Sequence, residues 1–117
     1  MKIMIVDDHA DIRSVLKKII NVGATEPVVF IECESGETAI TKYESYLPDF
    51  VIMDIELKKM DGLQATRIIK KSNAKAKILI VTSHDSPSLR KKAAALQITG
   101  FVSKDDLSVI NQYIHFT

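Results

Sequence analysis

Five side chains with chemistry to offer stand at the ends of four apolar runs in this chain. Asp7 and Asp8 follow residues 3–6, Asp54 follows residues 50–53, Thr82 closes residues 78–82, and Lys104 follows residues 100–103. Three carboxylates gathered in one small pocket repel one another, which raises their pKa values unless a cation relieves the repulsion. An all-oxygen donor set selects a hard divalent ion such as Mg²⁺, with Mn²⁺ able to substitute, and Mg²⁺ readily bridges to phosphate. Thr82 adds a hydroxyl donor, and Lys104 adds a point charge that can neutralise a phosphoryl oxygen. A free carboxylate is a competent nucleophile, so the set describes phosphoryl transfer to an aspartate. Asp54 is the candidate acceptor. Taken alone it is equally readable as a turn residue, because Asp is common in turns.

What decides between those readings is whether the chain can bring the five together. The run Phe50-Val-Ile-Met53 is apolar at every position, as a strand buried on both faces would be. Strands are also expected over residues 2–7, 28–31, 77–82 and 100–104. Between them lie helical patterns. Ile12, Val15, Leu16, Ile19 and Ile20 fall on one stripe, with Gly23 as a C-cap. Ser35 starts a second helix with Ala39, Ile40 and Tyr43 inward, ending before Pro48, and Asp61-Gly62 leads into a third through Ile68 and Ile69. Ser86-Pro87 reads as an N-cap and first helical residue ahead of Leu89, Ala93 and Leu96. A fifth helix is expected over residues 106–114, with Leu107, Ile110 and Ile114 inward. Strand and helix alternate five times, so the strands should be parallel with helices on both faces. All strand ends then meet at one edge, where open α/β sheets place their ligands.

Composition limits the partners. The 117 residues, 46% of them hydrophobic, suit one domain, and a net charge of +1 gives no polyelectrolyte argument for nucleic acid or a membrane surface. Lys70-Lys71 and Arg90-Lys91-Lys92 read as solvated helix faces. The single cysteine, Cys33, reads as a buried strand residue and suits a reducing cytoplasm. No apolar run at the start is long enough for a membrane span.

In order and at matching spacing, Val6-Asp7-Asp8, Met53-Asp54, Met60-Asp61-Gly62, Val81-Thr82-Ser83 and Val102-Ser103-Lys104 resemble the receiver domain of bacterial two-component response regulators. The resemblance covers essentially residues 1–117 as one receiver domain. It implies a flavodoxin-like doubly wound α/β fold, a five-stranded parallel sheet of order 2-1-3-4-5 with five helices. It also implies that Asp54 takes a phosphoryl group from a sensor histidine kinase or phosphotransfer protein. Asp8, Asp54 and the backbone carbonyl of Glu56 would hold Mg²⁺, with Asp7 assisting through water. Thr82 and Lys104 would bind the phosphoryl oxygens, and Phe101 would couple to Thr82 in switching. The surface of the fourth helix, fifth strand and last helix, around Leu89, Lys92, Phe101 and Asn111, would carry output contacts or a homodimer. Lys58 and Asp105 stand where many receivers have proline. The second departure, with Asp7-Asp8-His9, resembles the subgroup that usually bears a helix-turn-helix DNA-binding output, which these residues do not include. Such a module catalyses only its own phosphorylation and dephosphorylation.

Other functions fit less well. A pseudo-receiver would lack an acid, the threonine or the lysine. A haloacid-dehalogenase-type phosphatase places Asp-x-Asp after its first strand and needs a longer chain. A flavodoxin-like FMN carrier needs a Ser/Thr/Gly-rich phosphate loop where Asp7-Asp8 would repel the phosphate. His9 reads as an exposed first-turn residue rather than a ligand. His84, near the pocket mouth, reads equally as a solvated loop residue and as one that affects dephosphorylation.

Overall fold

The computed structural model describes residues 1–115. Five strands, β1 (Lys2–Val6), β2 (Val29–Cys33), β3 (Phe50–Met53), β4 (Ile78–Thr82) and β5 (Gly100–Ser103), form one sheet. Its order is β2-β1-β3-β4-β5, and every pairing is parallel. Four α-helices, α1 (Ala10–Gly23), α2 (Gly36–Tyr46), α3 (Gly62–Ser72) and α4 (Pro87–Ala94), alternate with the strands, and a fifth helical element, η1 (Lys104–Gln112), ends the series.

The three central strands are buried on both faces, and their period of two splits the core. Ile3, Ile5, Phe50, Ile52, Leu79 and Val81 pack with Leu16 and Ile20 of α1 and Ile110 of η1. Met4, Val6, Val51, Met53, Ile78 and Ile80 pack with Ala39 and Tyr43 of α2, Ala65 and Ile69 of α3, and Ala93 of α4. The sheet is thus closed on both sides, and its chemistry is left to the carboxyl edge.

Local signals start three helices where expected. The Ser35 side chain accepts from the Thr38 N–H, and the Ser86 side chain from the Leu89 N–H, with Pro87 as the next residue. At α3 Asp61 and Gln64 form a reciprocal capping box.

Four details differ from expectation. β2 runs two residues past Ile31, which brings Cys33 into register with Val6. Gly23 is the last residue of α1 with no positive φ, and Ala24 is the C-cap. Its lack of a side chain instead lets η1 approach, since a Cβ there would meet Asn111 at 2.5 Å. Val15 is exposed while Arg13 is buried, so the inward stripe of α1 runs Arg13, Leu16, Ile20. The last helix is a 3₁₀ helix, interrupted at Asp106 (φ −140°, ψ 65°), and it ends before Ile114, which is still buried. Asp105, Asp106 and Ser108 compete for backbone and side-chain hydrogen bonds here: the Ser103 hydroxyl accepts from the Asp105 N–H, and Ser108 donates to Asp106.

Candidate functional site

At the carboxyl edge β1 and β3 deliver Asp7 and Asp54, each only 2% exposed. The β-ladder continues just past the strand ends, with Asp7 N–H donating to the Cys33 carbonyl and Asp54 N–H to the Val6 carbonyl, both at 3.0 Å. Both carboxylates are therefore anchored by their own backbone. Lys104, arriving from the end of β5, sits between them, its Nζ 3.0 Å from Asp7 Oδ2 and 3.2 Å from Asp54 Oδ2. Three of the expected residues are thus brought into direct contact.

Burial raises the Asp54 pKa first, the neighbouring Asp7 charge adds to this, and Lys104 opposes both. For Lys104, burial pulls the pKa down, but the hydrogen bond to Asp7 and the charges of Asp54 and Asp7 together outweigh it and leave it raised. The site carries more negative charge than its one lysine neutralises. Asp8 lies beside it, and its Oδ1 is buried without a hydrogen-bond partner, although His9 Nδ1 lies 2.9 Å away. Single ligand atoms of Asp7, Asp8 and His9 fall within 4.8 Å of one another. That Asp8 oxygen, beside the Asp7 carboxylate, fits a hard cation, and Asp54 is not in the same group of ligand atoms. His9 is the N-cap residue of α1 and mostly exposed, as a first-turn residue should be, and its Nδ1 also lies 3.2 Å from Asp7 Oδ1.

The loop after Asp54 is held by its own backbone without proline at Lys58. The Ile55 carbonyl accepts from both Leu57 N–H and Gly62 N–H at 2.9 Å, and Lys59 takes a left-handed conformation with φ 64°. Gly62 is required for another reason: a Cβ there would lie 1.9 Å from the Asp54 carbonyl oxygen.

Thr82 is fully buried, and its hydroxyl is turned to Glu56 rather than joined to Asp54. The Glu56 carboxylate accepts from Thr82 at 3.2 Å and Ser83 at 2.6 Å, and lies 2.8 Å from His84 Nδ1. The Ser83 hydrogen bond leads in lowering the Glu56 pKa to about 2, helped by His84 and Thr82. The expected role of Glu56 concerned its carbonyl; its side chain as a clasp on the end of β4 was not legible in the sequence. An acid two residues past Asp54, with three hydrogen-bonding residues in a row at the end of β4, was the available signal. Phe101 is half-buried under the Arg90 guanidinium, 4.6 Å from its centroid, and Asp85 holds Arg90 through two hydrogen bonds. Arg90 is therefore not simply part of a solvated face. Asn111 faces α1, donating to the Ile19 carbonyl at 2.8 Å, away from the surface expected to include it. Cys33 is buried, and burial raises its pKa to about 11, which leaves it inert as a nucleophile.

This geometry can be set beside known proteins. The family described as "Response regulator receiver domain" matches residues 3–115. "Transcriptional regulatory protein DegU" of Brevibacillus brevis is 33% identical over 107 residues, which is 90% of this chain and 44% of that protein. "Chemotaxis protein CheY" of Bacillus subtilis is 35% identical over 103 residues, 88% of this chain and 84% of that one. Among solved structures, a two-component response regulator of the LuxR family from Aurantimonas sp. SI85-9A1 superimposes with a TM-score of 0.87 at 33% identity, covering 95% of this chain and 79% of that one. The chain therefore spans less than half of DegU but most of CheY.

Proposed function

This chain belongs to the response regulator receiver domain family, and from that premise we propose that residues 1–117 act as a single phosphoacceptor domain whose acceptor is Asp54. The observation that carries the reading is the contact of Asp54 with Lys104 and, through that lysine, with Asp7. A carboxylate oxygen of Asp54 attacks the phosphorus of a phosphohistidine on a sensor kinase or phosphotransfer protein. The new O–P bond forms as the N–P bond breaks, and its electron pair returns to the histidine nitrogen. Asp7, Asp8, Asp54 and the Glu56 carbonyl would hold Mg²⁺, or Mn²⁺ in its place. When bound, the ion supplies positive charge for the phosphoryl oxygens. Lys104 exchanges its two carboxylate contacts for the transferred group, and Thr82 leaves Glu56 to donate to a phosphoryl oxygen. The chemistry serves only the domain's own phosphorylation and dephosphorylation. The resulting state alters the α4, β5 and η1 surface that meets an output or a second copy of the chain. A transcriptional output in a longer protein is inferred from the likeness to DegU, and no nucleic-acid contact is assigned to these residues. No helix among the described residues is long and apolar enough to cross a membrane, and we place the domain in the cytoplasm, where its kinase partners act.

Incubation with acetyl phosphate and Mg²⁺, followed by intact mass, tests the acceptor. The wild type should gain one phosphoryl group and Asp54→Ala none. An adduct that persists in Asp54→Ala, or no adduct in the wild type, would sink the assignment.

A further inference from the structure

One ionised group in the core lies outside the set that meets Asp54 directly. Arg13, four residues into α1, is 8% exposed, a depth at which a guanidinium must be fully partnered. Its Nη1 donates to the Asp7 carbonyl. Its Nε donates to Glu32 Oε1 at 2.9 Å, and Lys17 holds the other Glu32 oxygen at 3.0 Å.

The Asp7 carbonyl is a particular partner. The paired register of β1 stops at Val6 on both sides, against Cys33 and Met53. The Asp7 N–H still reaches the Cys33 carbonyl, but no residue is paired with Asp7 to supply a donor for its own carbonyl. That carbonyl belongs to the peptide joining Asp7 to Asp8, so its orientation governs where both acids point. Arg13 supplies the missing donor from the next helix, and Glu32 on the edge strand balances its charge.

We propose that Arg13 is a positioning residue of the acid pocket, its guanidinium fixing the Asp7–Asp8 peptide so that both carboxylates face the cation. This rests on the reading of the acid pocket as a Mg²⁺ site. A purely structural arginine would tie α1 to β2 and affect only stability, so the two roles separate by experiment. Arg13→Met removes the donor while keeping much of the side-chain volume, and Arg13→Lys keeps the charge but not the two-partner reach. Ile20→Val loosens α1 from inside the core, away from the pocket.

For each protein, measure Mg²⁺ affinity by calorimetric titration, the thermal midpoint, and the metal-free amide shifts of Asp8 and His9. Partners that orient metal ligands typically change affinity by about 10–100-fold when removed, so Arg13→Met should weaken Mg²⁺ by at least about tenfold. It should also move the Asp8 and His9 amides, with Arg13→Lys falling between. Ile20→Val should lower the midpoint and leave affinity unchanged. If Arg13→Met does not fold, Arg13→Lys decides by the same criterion. Wild-type affinity in the folded Arg13 variants overturns this proposal alone. Absence of Mg²⁺ binding in the wild type overturns the metal reading as well, so the two failures are distinguishable.

Discussion

At the scale of single residues, Glu56 and Asp54 titrate in opposite senses. Glu56, with an ordinary value of 4.5, is held near 2 by Ser83, His84 and Thr82. The folded chain therefore binds fewer protons than the unfolded one between those values. The stability this confers is complete above about pH 4.5 and is lost as pH falls toward 2. The Glu56 side chain is 38% exposed, so the effect is modest. Denaturant midpoints taken from neutral pH down to about pH 3 should fall further in the wild type than in Glu56→Gln. Parallel curves would refute the clasp. For Asp54 the folded pKa is raised, so the fold disfavours its ionised form and its contribution to stability declines as pH rises through that pKa. Asp54→Asn should accordingly raise the thermal midpoint at neutral pH. A lowered midpoint would mean that the Lys104 contact outweighs burial and the Asp7 charge.

At the scale of elements, the segment from Asp54 to the start of α3 aims the proposed acceptor, and two residues control it separately. Asp61 caps α3 through the reciprocal pair with Gln64. Loss of that cap in Asp61→Ala should cost about 1 kcal/mol, with the acceptor still competent. Gly62 lies against the Asp54 carbonyl, so Gly62→Ala forces backbone apart rather than a flexible side chain. It should cost about 1–3 kcal/mol, the usual range for overpacking, and should also slow acetyl phosphate labelling. The discriminating measurement is labelling rate against stability for the two variants. If Gly62→Ala labelled as fast as Asp61→Ala, the close approach would have no bearing on the acceptor.

At the scale of the whole molecule, the proposed path out of the pocket runs from β4 to β5. Aspartyl phosphate brings roughly −1.5 to −2 charges, by analogy with phosphorylated hydroxyl residues. Thr82 can answer that charge only by leaving Glu56, and Phe101 can turn inward only by leaving Arg90. On that proposal two side-chain contacts change together. With a beryllofluoride mimic and Mg²⁺, amide shifts should change around Asp7, Asp54 and Thr82 and also through Leu89, Phe101 and η1. In Arg90→Ala the Phe101 ring protons should already be displaced before the mimic is added. Silence in β5 and η1 would show that the signal stops at the pocket.

The order of elements, both faces of the sheet and the acids at its edge were legible in the sequence, because each rests on local pattern. Phe50–Met53 is apolar throughout, Ser35, Asp61 and Ser86 cap α2, α3 and α4, and strand ends carry Asp7, Asp54, Thr82 and Lys104. A period of two or 3.6 is a property of neighbours along the chain, so it survives without coordinates. Other features depend on distant partners, and only the tertiary structure decided them. Arg13 displaced Val15 from the inward face of α1 because an unpaired carbonyl at Asp7 and a carboxylate on β2 awaited it. Glu56 clasps residues 26 to 28 positions away, Arg90 covers a ring eleven residues on, and Asn111 reaches back 92 residues to α1. Periodicity marks which face a residue occupies; the donor or acceptor that meets it there is set by how the packed elements converge.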